Sequence, residues 1–560
     1  MRKSTLVLSL AIASALIPFS PAQTAPAKRP MTFEDMMKMR RLGETAVSPD
    51  GKWLAYSVTD VDLEKNTRTA TLWLQPIAGG DPQPLAVAKP GDSGPQFAPD
   101  NKRILFLSGR EGGQQVWLAD FDPATGAAAN PKKLTAISTE ADNALWSPDG
   151  HSVVFTSSVY PDCPAITTAD GATGDKCNAD RDKTAAESKV KAQIFTHLLY
   201  RHWNHFTGDK RSHLFLATVE TGALRDLTPN DPHDVPPFSL EGGGGFAISP
   251  DSKELAFTEN LDPEPAISTS ASIFTLDLTN PSAKPVKVST SAGGNFNPAY
   301  SPDGKYLAWR SEERAGYEAD KFRLFLYDRA AKTAKDLLPK FDRWVDEFAW
   351  GTDSTVLYFV SGENGASMLA EVTLEGKIRN TYNPFSDNEL PNLGRFEWSD
   401  LHPLGGGLVL ATGMRVDQPS EVFKVQKTAE TQVTGKSEFT TLLFTKADRI
   451  THLNNALLAQ LDLPAMESFW FTAADKTKLQ GFLIRPPGFD PAKKYPVKFL
   501  IHGGPQGAWG DAWSYRWNAE LFAANGYVVV MINPRGSTGY GQAIVDGVNG
   551  DWGGKPFTDL

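Results

Sequence analysis

Ser48-Pro-Asp-Gly-Lys-Trp-Leu-Ala-Tyr56 decides the fold, because the phrase recurs. It returns as Ala98-Pro-Asp-Asn-Lys-Arg-Ile-Leu-Phe106, Ser147-Pro-Asp-Gly-His-Ser-Val-Val-Phe155, Ser249-Pro-Asp-Ser-Lys-Glu-Leu-Ala-Phe257 and Ser301-Pro-Asp-Gly-Lys-Tyr-Leu-Ala-Trp309. A degenerate copy starts at Trp350-Gly-Thr-Asp353. Pro-Asp-Gly makes a tight turn, and the residues after it alternate into an apolar strand. Further strands follow in each unit, such as Thr71-Leu-Trp-Leu74 and Gln115-Val-Trp-Leu118. Short strands repeating every ~40–50 residues are the pattern of a β-propeller blade.

The aspartates of the phrase stand at 50, 100, 149, 251, 303 and 353, so one interval is double the others. Residues 157–212, which hold no Pro-Asp-Gly, are read as an insertion within one blade, with a helix-like run from Asp180 to Gln193. The segment from Arg395 to Val425 supplies a last blade without the phrase. The expectation is an all-β propeller of about seven blades over residues 40–450, after an N-terminal segment 23–39. A propeller by itself fixes no function, because such repeats serve binding scaffolds and enzymes alike.

From about Met466 the pattern changes. Phe469-Trp-Phe-Thr472 and Leu479-Gln-Gly-Phe-Leu-Ile484 read as a hairpin. Val497-Lys-Phe-Leu-Ile501 is an apolar strand running into His502-Gly503-Gly504-Pro505. A helix-like stretch from Ala512 to Ala524 closes at Asn525-Gly526, and Tyr527-Val-Val-Val-Met-Ile532 is apolar enough for a strand buried on both faces. Strand, helix, strand opens a parallel α/β domain.

At these residues the chain resembles a known family. Lys494-Tyr-Pro-Val-Lys-Phe-Leu-Ile-His-Gly-Gly-Pro505, the run from Ala524 to Gly541 (ANGYVVVMINPRGSTGYG) and Gly550-Asp-Trp-Gly-Gly554 are similar to the opening of the hydrolase domain of the prolyl oligopeptidase family of serine peptidases. The style is nearest its acylaminoacyl-peptidase and dipeptidyl-peptidase branches. The resemblance implies a propeller followed by the N-terminal part of an α/β-hydrolase domain (451–560), a peptide substrate and no cofactor. It also implies that the turn at Gly503 and Gly504 contributes a backbone N–H to an oxyanion hole, where glycine lets the backbone approach a carbonyl. His502, Pro505 and Arg535 are then supporting residues of the two strand-end loops. His502 is not the base, which comes after the nucleophile in this fold.

Acyl transfer on this fold needs Gly-x-Ser-x-Gly, then an acid, then a histidine. The sequence holds no such elbow: Arg535-Gly-Ser-Thr-Gly539 has arginine where the first glycine belongs, and Gly91-Asp-Ser-Gly94 lies inside the propeller. The triad is therefore expected beyond Leu560, with the chain as written a fragment that hydrolyses nothing. The alternatives are a non-catalytic propeller scaffold and an esterase.

The remaining features bound the setting. Arg2 and Lys3 followed by an apolar stretch from Leu6 to Phe19 and by Ser20-Pro-Ala22 read as an export signal over residues 1–22, giving a periplasmic or secreted protein with no membrane segment after cleavage. Two cysteines, Cys163 and Cys177, are expected to form a disulfide in that compartment. A net charge of −10 argues against nucleic acid. His197, His202, His205 and His213 cluster without carboxylate or cysteine partners at ligand spacing, so no metal is expected.

Overall fold

The computed structural model describes residues 27–166, 172–202, 204–237, 245–382, 395–434 and 437–560. Residues 1–22, read from the sequence as an export signal, lie outside them. Among the described residues, no helix is long and apolar enough to cross a membrane.

The recurring phrase builds one device wherever it begins with serine. In Ser48-Pro-Asp, the Ser48 hydroxyl donates to Asp50 at 2.7 Å and accepts from the amides of Lys52 and Trp53. The same serine–aspartate contact recurs at Ser147–Asp149, Ser249–Asp251 and Ser301–Asp303. The Ser301 hydroxyl, together with the Lys305 amide, holds the Asp303 carboxyl down at about 2 despite some burial. The turn passes through positive φ at Gly51 (68°), and Asn101 (58°) and Ser252 (58°) take that position where glycine is missing. Asparagine tolerates this region best after glycine, so the variation stays within what the turn allows.

After each turn an apolar strand enters a four-stranded antiparallel sheet. Seven such sheets follow one another among the described residues, spanning 41–84, 93–133, 142–226, 246–287, 295–336, 347–382 and 397–449. Apolar residues join each sheet to the next, as where Trp53 and Leu74 meet Phe106 and Trp117. The first sheet also packs on the last, with Leu54, Tyr56, Val58 and Ile77 against Leu410 and Val422. That contact closes the row into a ring.

The double interval holds one sheet. Ser152–Val159 pairs directly with Arg211–Thr218, and the intervening residues are extruded between the two strands. They include a helix at Ala172–Glu187, tied down by the Cys163–Cys177 disulfide with a Cα–Cα distance of 5.8 Å. The helix thus starts and ends earlier than the Asp180–Gln193 run expected from composition. Its N-terminal half is anchored by buried Cys163 and by Asn178, whose side chain accepts from the Tyr160 amide. After Glu187, the Ser188 hydroxyl bonds the Val190 backbone and turns the chain out of the helix.

The C-terminal part forms an eighth sheet. The hairpin Glu467–Thr472 and Lys478–Ile484 pairs antiparallel with Val528–Asn533, which pairs parallel with Val497–Ile501. The helix between the parallel strands is only Ala519–Ala524, not the whole of Ala512–Ala524. Asn518 caps it by accepting from the Leu521 amide. Residues before it are drawn elsewhere: Asp511 bonds the ring, and Trp513 is buried with Met31, Met36, Met39 and Leu461. Val497, Phe499 and Ile501 form an exposed apolar row on the edge strand of this sheet.

Candidate functional site

Two loops at the ends of the parallel strands form the site, and each is tied to the other and to the ring. The first, His502–Gly510, follows Val497–Ile501; the second, Pro534–Gly541, follows Val528–Asn533. Asn533 stitches them together: its side chain accepts from the Trp509 amide (2.7 Å) and donates to the Trp509 carbonyl (2.8 Å) and the Tyr540 hydroxyl (2.7 Å). Tyr540 in turn donates to Gln480 Oε1 at 2.7 Å. Thr538 N–H reaches the Gly507 carbonyl at 2.9 Å.

Gly503 and Gly504 are exposed at the tip of the first loop. Gly504 sits at φ +139°, and a Cβ there would lie 2.2 Å from the Gln506 carbonyl oxygen. Only glycine is accommodated, and its backbone is left open to an approaching group. Pro505 packs beneath Gly536 (φ +105°), where a Cβ would come within 2.8 Å of the proline ring.

His502 does not point outward as a base would. Its Nδ1 lies 3.0 Å from the Gly503 carbonyl and its Nε2 lies 2.8 Å from the Ser537 hydroxyl, with the ring edge-on to Trp509. Burial pushes its imidazole below the ordinary value of 6.5. Ser537 is fully buried and also donates to the Pro534 carbonyl at 2.6 Å. A hydroxyl so committed is a strut of the second loop, not a nucleophile.

Arg535 is buried and forked onto Asp559, with Nε–Oδ2 at 2.9 Å and Nη2–Oδ1 at 2.6 Å, and also pairs with Asp475. It ties the second loop to the helix Lys555–Asp559 and to the hairpin turn at Asp475. Cys163 and Cys177 lie in the insertion, apart from these loops. Of the histidines noted in the sequence, His213 is buried against Asp226.

Acidic residues that the sequence pattern did not single out gather where the loops meet the ring. Burial pushes Glu397 up to about 7 even though Ser367 donates to it at 2.5 Å. Asp346, which accepts from the Gly362 amide at 2.7 Å, is raised to about 6 by the same cause. Asp511, bonded by the Val416 amide at 2.8 Å, is also raised to about 6. Asn364 N–H to Gly539 O (3.2 Å) and Asp511 N–H to Gly365 O (2.8 Å) complete the seam. Asp346 precedes the strand Glu347–Trp350, Glu397 opens the strand Glu397–Gly405 and Asp511 lies in the connection after Val497–Ile501, and no local motif marks them. A cavity of about 1310 Å³ also opens between the insertion and the ring, with Tyr160, Lys210, Asp234 and Phe246 among its walls. Glu187, on the insertion helix, is exposed and lies 3.9 Å from Lys183.

Comparison with known proteins agrees with this arrangement. The model of the prolyl oligopeptidase family matches residues 513–560. Dipeptidyl-peptidase 5 of Porphyromonas gingivalis is 29% identical over 574 residues, covering 99% of this chain and 75% of that protein. Dipeptidyl-peptidase 5 of Trichophyton schoenleinii is 26% identical, covering 99% of this chain and 73% of its own. Among solved structures, the uncomplexed acylaminoacyl peptidase of Pyrococcus horikoshii superposes with a TM-score of 0.68 at 17% identity, over 94% of this chain and 70% of that one. A puromycin hydrolase gives 0.60 at 17% identity, over 95% of this chain and 72% of that one. With the ring of small sheets, the glycine turn after a parallel strand and relatives matched along nearly all of its length, the chain is similar to proteins of the prolyl oligopeptidase family.

Proposed function

We propose that this chain supplies the substrate-sorting propeller and the first strands of the hydrolase domain of an exported serine peptidase that releases short pieces, such as dipeptides or acylated amino acids, from peptides. The seven sheets are its seven blades, residues 451–560 open its hydrolase domain, and the ring over the catalytic loops restricts entry to small peptides. The observation that carries the reading is the open Gly503–Gly504 turn at the end of a parallel strand, held by His502 from below and seamed to the ring at residues 510 and 511. In this role the Gly504 N–H would meet the oxyanion that forms as a peptide carbonyl is attacked, and loss of one such donor costs ~10²–10³ in kcat. Relatives that are dipeptidyl peptidases support the reaction class. The disulfide supports an oxidising compartment.

The 560 residues hold no Gly-x-Ser-x-Gly. We assign nucleophile, acid and base to none of them. The apolar row Val497, Phe499 and Ile501 is a face that further layers of a hydrolase sheet would cover.

The test is made on the protein purified from its natural source. It is treated with a serine-directed phosphonate and assayed on dipeptidyl and N-acyl aminoacyl chromogenic substrates. Hydrolysis, blocked by the phosphonate, supports the proposal. Peptide binding with neither labelling nor hydrolysis would make it a binding scaffold instead.

A further inference from the structure

Asp231, His233 and Glu259 bring one ligand atom each to within 4.8 Å of one another, far from the catalytic loops in sequence and unused by them. They come from two places. Asp231 and His233 lie in the loop after Leu224–Asp226, and Glu259 ends the strand Glu254–Glu259 of the next sheet.

Glu259 is the informative member, because it is only 3% exposed and its neighbour is another acid. Asp231 and burial both oppose its ionisation, which pushes its carboxyl up to about 8. Its side chain shares a hydrogen bond with Asp231. A carboxylate removed from water is ordinarily matched by a cation or by a set of N–H donors. Here the remaining neighbour is the half-buried imidazole of His233, whose Nδ1 lies 2.9 Å from Asp231 Oδ1.

The loop is held in place before any ligand arrives. His233 N–H donates to Asp231 Oδ1 at 2.9 Å, and Val235 N–H to Ser212 O at 2.7 Å. Buried His213 spans the base of the loop, with Nε2 3.0 Å from the Asp231 carbonyl and Nδ1 3.1 Å from Asp226. His213 therefore has both nitrogens occupied. It fixes the backbone of Asp231 instead of serving as a ligand.

We propose that Asp231, His233 and Glu259 bind a divalent transition-metal cation of the zinc type, which clamps the loop 227–237 to the neighbouring sheet. Two carboxylate oxygens and one imidazole nitrogen suit zinc, whose bonds to them are about 2.0–2.2 Å. An all-oxygen set would be needed to favour calcium or magnesium. Three protein donors leave a position for water. The cation neutralises the pair of carboxylates.

The probe is Zn²⁺ alone, titrated calorimetrically into the metal-stripped chain in buffers of different ionisation enthalpy, with metal per chain counted after dialysis. One Zn²⁺ per chain and at least a tenfold weaker affinity in both Glu259→Gln and His233→Gln support the site. Absence of stoichiometric uptake overturns it. So does uptake undiminished in both variants, or saturation by Ca²⁺ in preference to Zn²⁺. Should Glu259→Gln fail to fold, His233→Gln carries the test, because that side chain is 23% exposed whereas Glu259 is 3% exposed.

Discussion

The Nε2 of His502 lies 2.8 Å from the hydroxyl of Ser537, a residue 35 positions on that belongs to the other strand-end loop. The Gly503 carbonyl at Nδ1 can only accept, so the ring proton sits on Nδ1 and Nε2 is the acceptor. The single proton of Ser537 is then divided between Nε2 and the Pro534 carbonyl. Fixing the Gly503 carbonyl also fixes the Gly504 N–H, which points the opposite way in the same peptide unit. Ser537→Ala leaves a half-buried nitrogen unpaired and is expected to cost about 1 kcal/mol in denaturant unfolding. Ser537 itself is expected to take no phosphonate label by mass spectrometry, since its hydroxyl is buried and already donated.

The same imidazole gives a pH prediction. Its folded value lies below the ordinary 6.5, because burial disfavours the charged ring. The unfolded chain therefore binds this proton more readily, and the contribution of His502 to stability is present above about 6.5 and lost as pH falls below it. Proton NMR of the His502 ring is expected to show titration below 6.5; a midpoint above that value would remove the argument.

Arg535 and Asp559 are a buried, doubly bonded ion pair, so loss of one partner strands the other. Asp559→Ala is expected to destabilise the C-terminal part by about 3–5 kcal/mol. Hydrogen exchange should show the loss in residues 528–560 and leave the ring protected; equal loss everywhere would mean that the two parts unfold as one.

Glu520 presents the opposite case. It is 1% exposed, neither carboxylate oxygen has a hydrogen-bond partner, and burial with Asp417, Asp511 and Asp462 nearby pushes it up to about 9. The folded state keeps a proton that the unfolded state gives up, so stability declines as pH rises from about 4.5 toward 9. Glu520→Gln removes the dependence and is expected to be more stable than the parent by at least about 1 kcal/mol at pH 8, with the gap closing near pH 5. Parallel melting-temperature curves across that range would refute the assignment.

Reduction of Cys163–Cys177 opens a loop with a sequence separation of 14, for which chain entropy gives about 3 kcal/mol. The effect is expected to be local. The helix Ala172–Glu187 should lose exchange protection while Ser152–Val159 and Arg211–Thr218, paired along eight residues, retain theirs.

The sequence by itself determined what is settled within a few residues. The Ser-Pro-Asp turns satisfy their own amides, and the strands after them alternate, so position and type of the repeating units were legible. Val497–Ile501 and Val528–Asn533 were likewise readable from unbroken apolar runs. The glycine turn was legible through resemblance, and the structure supplies its reason at Gly504. Tertiary structure alone decided the rest, because the partners are distant in the chain. Closure of the ring joins Leu54 to Leu410, and the insertion is resolved only by the pairing of Phe155 with Phe215. The helix before Ala524 is short because Asp511 and Trp513 are claimed by the ring and by the N-terminal methionines. The raised acids Glu397, Asp346 and Glu520, and the trio of Asp231, His233 and Glu259, owe their chemistry to burial, which no local pattern of residues encodes.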